Sequence, residues 1–171
     1  LGPEMKSTGE VLGIADTFGL AFFKSQEGAG QKLPTQGTVL VSVKQKDKRE
    51  ILAVAKYLRE IGFRILATDD THKFLLNSGV ESTFIKKVHE GRPNIVDAIH
   101  NKEINLIINT PIGKSSKHDD SYIRKAAIKY KIPYITTAAA AQAAAEGIKA
   151  YIQNGGGRDV KSLQEYHRDI K

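Results

Sequence analysis

The amino-acid sequence predicts an α/β fold, a five-stranded parallel sheet wound on both faces by helices. Two observations carry that expectation. From residue 37 on, short apolar runs rich in β-branched residues recur, and longer amphipathic stretches separate them, the rhythm of βαβ units. Strands joined by helical crossovers lie parallel, with helices covering both faces of the sheet.

The strands are expected at residues 38–43, 63–67, 82–86, 104–109 and 133–136. Between the first two, residues 48–61 place Ile51, Leu52, Val54, Ala55, Leu58 and Ile61 on one helical face, with Asp47 and Glu50 as a capping box and Gly62 as the stop. A short helix over 71–77 closes at Ser78-Gly79, and another over 94–101 is entered through Pro93. Residues 119–131 begin with acids and end with Lys129 and Lys131, which suits the helix dipole, and turn Ile123, Ala126, Ala127 and Tyr130 inward. An alanine-rich helix spans 138–152, and a final amphipathic helix over 160–170 follows a glycine hinge at 154–157. The first 36 residues break the rhythm: 17–26 suit a helix with Phe18, Ala21, Phe22 and Ser25 on one side, while 1–16 and 28–36 read as extended or linker segments.

Composition narrows the function. The 171 residues hold 26 Lys and Arg against 19 Asp and Glu, a formal charge of +7, and 40% hydrophobic residues, enough for one real core and too many for a disordered chain. Without cysteine, disulfide scaffolds, thiolate metal sites and cysteine nucleophiles are excluded. The longest apolar runs, 138–141 and 104–108, are too short for a membrane span, and residues 1–15 have no signal-peptide pattern, so an aqueous, reducing compartment is expected. The only methionine is Met5 while the chain opens at Leu1, as in a processed chain or a piece of a longer one. Gly2-Pro3 alone would also fit a protease remnant.

In an open parallel sheet, ligands bind beyond the carboxyl ends of the strands. That edge collects Ser42, Lys46 and Lys48 after the first strand, Thr68 to Thr71 after the second, Lys87 after the third, Asn109 and Thr110 after the fourth, and Tyr134, Thr136 and Thr137 at the fifth. Hydroxyls and ammonium groups in that number suit a phosphate or another small anion. Lys46, Lys48 and Arg49 also stand at the positive end of a helix dipole, a conflict that a bound anion would resolve. A lysine-rich turn is ordinarily a solvated loop and a strand-end threonine a helix cap, so the inference rests on their convergence. The histidines at 72, 89, 100, 118 and 167 lack helical metal-site spacing, and no metal site is expected. No Gly-x-Ser-x-Gly, Walker or dinucleotide glycine fingerprint is present. Nucleic-acid binding is not expected, because the basic residues are spread over many helices with few aromatics and no RNA or DNA module.

Several segments resemble one family. Residues 1–13, reading Leu-Gly-Pro-Glu-Met-Lys-Ser-Thr-Gly-Glu-Val-Leu-Gly, resemble the end of the second synthetase unit in the large subunit of carbamoyl-phosphate synthase. Residues 87–93, reading Lys-Val-His-Glu-Gly-Arg-Pro, then Ile-Ile-Asn-Thr at 107–110 and Tyr-Ile-Thr-Thr at 134–137, resemble its C-terminal, methylglyoxal-synthase-like regulatory domain. The resemblance implies a Rossmann-like or flavodoxin-like sheet of order 3-2-1-4-5, with residues 1–36 as the tail of the preceding synthetase unit and linker, and 37–171 as the regulatory domain. It replaces the protease-remnant explanation of Gly2-Pro3.

The same resemblance implies a domain that binds UMP or IMP and contributes to ornithine binding, with no catalysis and no cofactor of its own. Ser42, Lys48, Thr68, Thr71 and Lys87 would meet the effector phosphate, Asn109, Thr110 and Asp119 its ribose and base, and Tyr134 and Thr136 the ornithine side. The parent enzyme would use ATP with Mg or Mn and K, and a glutaminase small subunit, to make carbamoyl phosphate from bicarbonate and ammonia for pyrimidine and arginine synthesis. It would work in a bacterial cytoplasm, or in a plastid if the source is a plant. Two departures bear on the effector: Asp70, after Asp69, stands where the family often has glycine, and Pro111 stands where it can carry a hydroxyl. The alternative is methylglyoxal synthase itself, a phosphate-eliminating lyase that needs a carboxylate base. His118 and Asp119 partly match its catalytic positions, but Pro93 occupies the place of an aspartate.

Overall fold

The computed structural model describes residues 10–110, 117–156 and 161–168; the side chains at 117 and 118 lie outside the description. The opening motif at 1–9, Pro111, the side chain of His118, Gly157 and residues 160 and 169–170 of the expected last helix therefore fall outside the described residues. Five strands, β1 (Thr38–Ser42), β2 (Arg64–Ala67), β3 (Thr83–Phe84), β4 (Leu106–Asn109) and β5 (Tyr134–Ile135), form one sheet of order 3-2-1-4-5. Every pairing is parallel, as expected. Seven described α-helices accompany it: α1 (Phe18–Gly28), α2 (Lys48–Glu60), α3 (Asp69–Asn77), α4 (Ile95–His100), α5 (Lys117–Tyr130), α6 (Ala138–Gln153) and α7 (Leu163–Arg168).

Alternation along the central strands sorts the helices between the two faces. Val39 and Val41 of β1 and Leu106 and Ile108 of β4 point into a core with Phe23 of α1, Leu58 of α2, Leu75 of α3 and Ile148 of α6. Leu40 and Ile107 point the other way, toward Ile95 and Ile99 of α4 and Ile123 and Ala127 of α5. β1 is buried along its whole length and flanked by β2 and β4, so its end lies where successive crossovers diverge.

Three local expectations are corrected. Asp47 does not cap α2 with Glu50: residues Gln45–Asp47 already coil as a 3₁₀ turn, Asp47 has φ −92° and ψ −9°, and its carboxylate turns to Lys44 at 3.4 Å. α3 starts at Asp69, two residues before its expected start, because Asp69 and Asp70 suit the positive end of a helix. The inward face of α1 also differs. Phe18 is 71% exposed, and Gly19 and Phe23 are buried.

That last difference has a packing cause. α1 lies against α6 so closely that a Cβ on Gly147 would come 2.5 Å from the Gly19 carbonyl oxygen, and one on Gly19 would come 3.0 Å from the Gly147 amide. Phe23 then stacks on Tyr151 with ring centroids 4.3 Å apart. Glycine carries no hydrophobic signal, so a pattern search passes over the contact that sets the helix's rotation.

Gly147→Val is therefore expected to force α1 away from α6 and lower stability by about 1–3 kcal/mol, the usual cost of overpacking. Thermal denaturation measures it, and an unchanged melting temperature would contradict the close crossing.

Candidate functional site

Among the described residues, six of the eight buried polar or charged side chains gather at the carboxyl edge of the sheet: Ser42, Lys48, Thr68, Thr71, Asn109 and Thr110. The register brings Ser42 beside Asn109 across β1 and β4. Thr68 precedes α3 in an extended conformation but makes no side-chain cap; its hydroxyl lies 3.4 Å from Ser42 Oγ instead. Thr71 Oγ1 accepts the Val43 amide at 3.3 Å, and Thr110 Oγ1 accepts the Lys44 amide at 3.0 Å. Two threonines from different crossovers thus hold consecutive amides of the β1–α2 loop.

Of the three cations at the start of α2, Lys46 and Arg49 are exposed, and Lys48 is turned inside with 7% of its surface accessible. Its Nζ donates to the Asp70 carbonyl at 3.1 Å and lies 5.8 Å from the centre of the Phe74 ring. A carbonyl and a ring face ease the burial of an ammonium without neutralising it, whereas an anion would. The carboxylates at this loop do not take that role. Asp69 pairs along its own helix with Lys73 Nζ at 2.8 Å, and this hydrogen bond and charge hold the Lys73 amine above its ordinary range.

A second cluster joins β4, α5 and β5. Asn109 Nδ2 donates to Asp120 Oδ1 at 2.9 Å and to the Tyr134 hydroxyl at 2.7 Å, while the Arg124 guanidinium lies 5.9 Å from the Tyr134 ring centre. Burial pushes the Tyr134 phenol above its ordinary pKa, against the lowering effect of the Asn109 hydrogen bond. Asp119, the neighbour expected to face a ribose or base, pairs with His89. This contact draws the loop after Lys87 to the first turn of α5. Lys87 itself is partly exposed and donates its amide to Glu90 Oε2 at 2.8 Å, and Thr136 is exposed.

The structure therefore brings Ser42, Lys48, Thr68 and Thr71 into one group and Asn109 and Tyr134 into another, with Thr110 tying the β1–α2 loop to the end of β4. Sequence reasoning passed over Asp120, Arg124 and His89. The i,i+4 spacing of Asp120 and Arg124 was a usable signal; nothing in the local sequence marks the pairing of His89 with Asp119, thirty residues apart. Among the described residues no group of three His, Asp or Glu side chains is arranged to hold a metal, and no helix is long and apolar enough to cross a membrane.

The family model for the MGS-like domain matches residues 50–136, about half of the chain. The carbamoyl phosphate synthase large chain of Archaeoglobus fulgidus is 51% identical over 170 residues, covering 99% of this chain and 16% of that protein. The C-terminal section of the large chain from Aquifex aeolicus is 50% identical, over 98% of this chain and 32% of that one, and the large chain from Methanosarcina barkeri 46% identical, over 100% and 43%. This chain thus spans less than half the length of each of these relatives. A crystal structure of methylglyoxal synthase from Elizabethkingia anophelis shares the fold with a TM-score of 0.52 at 18% identity, covering 64% of this chain and 77% of that one.

Two outcomes follow from this geometry. Thr110→Val leaves the Lys44 amide without its acceptor and is expected to cost about 1–3 kcal/mol, while Thr110→Ser retains most of the stability in the same denaturation experiment. A phenol with a raised folded pKa contributes stability that is present below its unfolded value near 10 and lost as pH rises through the folded value. Tyr134→Phe should therefore flatten the alkaline loss of stability and remove a late transition from the ultraviolet tyrosine titration.

Proposed function

The chain belongs to the family of MGS-like domains, and on that premise we propose that it is the effector-binding regulatory domain of a carbamoyl phosphate synthase large chain. The observation that carries the reading is Lys48, a buried ammonium whose contacts are a carbonyl and a ring, set among the Ser42, Thr68 and Thr71 hydroxyls at the sheet's carboxyl edge. An effector phosphate supplies the missing negative charge, with Lys87 reaching it from the third crossover. Asn109, Thr110 and Asp119 lie toward ribose and base, so a nucleoside monophosphate such as UMP or IMP suits the two adjoining clusters. Tyr134 and Thr136, at the fifth strand, form this domain's part of an ornithine site completed by the synthetase unit.

On this reading the chemistry belongs to the parent enzyme, a cytoplasmic ligase that joins bicarbonate, glutamine-derived ammonia and ATP, and residues 37–171 report effector occupancy to it. Asp69 and Asp70 are compatible with an anion here. The Asp69 carboxylate is engaged by Lys73, and Asp70 offers Lys48 its carbonyl.

Calorimetric titration with UMP and IMP is expected to give saturable binding of at least one nucleotide, weakened about tenfold or more, roughly 1.4 kcal/mol, by Lys48→Ala and by Lys87→Ala. Absence of nucleotide binding, together with unchanged phosphate-dependent melting in both variants, would overturn the assignment. The isolated chain is expected to produce no methylglyoxal from dihydroxyacetone phosphate; measurable turnover would place the activity in this domain itself.

A further inference from the structure

Among the described residues, six helices end on one backbone device, in which the residue after the last turn donates its amide three residues back and the next donates five back. The first of those residues sits at positive φ in every case. α1, α2, α3 and α6 place Gly30, Gly62, Gly79 and Gly155 there, where the lack of a Cβ makes the conformation cheap. α4 and α5 place lysines, Lys102 at φ 59° and Lys131 at φ 55°. A side chain with a Cβ is strained at such a φ, and strain of this kind marks positions where the side chain has work to do. Favouring the helix dipole does not account for the choice at α5, whose last turn already carries Lys129 in an ordinary helical position.

The two exceptions line the same cavity. It measures about 320 Å³ and lies at the amino edge of the sheet, opposite the polar cluster, with Lys32, Asn105 and Tyr130 on its walls and the half-buried Pro34 and Ile132 as its apolar floor. Among the described residues, no carboxylate lines it. Among the described residues, the Lys32, Lys102 and Lys131 ammonium groups make no ion pair or hydrogen bond. Asn105 Oδ1 is held by the Thr38 amide at 2.9 Å, so the polar group Asn105 has left to offer is its amide nitrogen, a donor. The lining is thus three cations and an amide donor around an apolar floor and one aromatic wall.

We infer that this cavity is a second ligand site, for a small anion with an apolar or aromatic body. The anionic group, a phosphate monoester or a carboxylate, is held by Lys102, Lys131, Lys32 and the Asn105 amide. The body lies against Tyr130, Ile132 and Pro34.

The test is an amide-shift titration of the 171-residue chain by NMR with phenyl phosphate, benzoate, inorganic phosphate and benzyl alcohol. Saturable shifts at Lys102, Asn105 and Lys131 with phenyl phosphate or benzoate are expected, and which of the two binds more tightly identifies the anionic group. Inorganic phosphate should bind several-fold more weakly, and benzyl alcohol should give no saturation. Lys102→Gly with Lys131→Gly should weaken binding about tenfold while leaving the melting temperature unchanged or higher, since glycine relieves the strained φ. Lys56→Ala, on the exposed side of α2, should change neither. The inference is overturned if neither organic anion shifts these amides, if shifts appear only around Ser42 and Lys48, or if the double glycine variant keeps its affinity and loses stability instead, the result expected of lysines that serve only the helix ends.

Discussion

At the end of the central strand the chain must leave the sheet between two neighbours that diverge, and the amides of Val43 and Lys44 lose the regular ladder there. Thr71 takes the first from the side of β2 and Thr110 takes the second from the side of β4. A buried amide without an acceptor is costly, so this clamp fixes the path of the β1–α2 loop. The path in turn determines where α2 begins and which of its lysines faces inward. Lys48 enters the interior because the loop reaches α2 through a 3₁₀ turn that leaves Lys46 and Arg49 outside. The polar cluster depends on two hydroxyls that accept backbone amides.

That dependence separates two roles within one set of residues. Thr71 and Thr110 also hold backbone, while the Thr68 hydroxyl reaches Ser42 and the Lys48 ammonium is buried against a carbonyl and a ring. The Asn109, Asp120 and Tyr134 network similarly locks β4, α5 and β5 together at the same edge. His89 and Asp119 tie the third crossover to α5, so three crossovers meet over one end of the sheet. The opposite edge is organised differently, by helix termini and by lysines placed in strained backbone conformations.

Most of the architecture was legible in the residue pattern. β1 and β4 are nearly continuous apolar runs because both faces of the sheet are covered, and the amphipathic stretches between the strands mark the crossovers. β3 is shorter than its composition predicts: the residues at 82–86 have strand composition, but only Thr83 and Phe84 join the ladder at the edge, and Lys86 makes a single bridge to Asn94. The face of α1 differs from its hydrophobic pattern because the decisive contact is between two glycines. Among the site residues, the positions at the strand ends followed from topology, while their partners did not. Asp119 and Asp120 are adjacent in sequence, yet helical phase sends one to His89 and the other to Asn109.

The sequence by itself determined the alternation of strands and helices, the parallel sheet and the edge at which polar side chains collect, because periodicity and β-branching are local properties that survive without knowledge of neighbours. It also carried the motifs by which the chain's family is recognised. Only the tertiary structure decided which lysine is buried, which threonines hold backbone and which carboxylates are already engaged. It also revealed that Lys102 and Lys131, from separate crossovers, share one cavity with Lys32. Those outcomes depend on distances between segments far apart in the chain, and they are set by how the helices settle on the sheet.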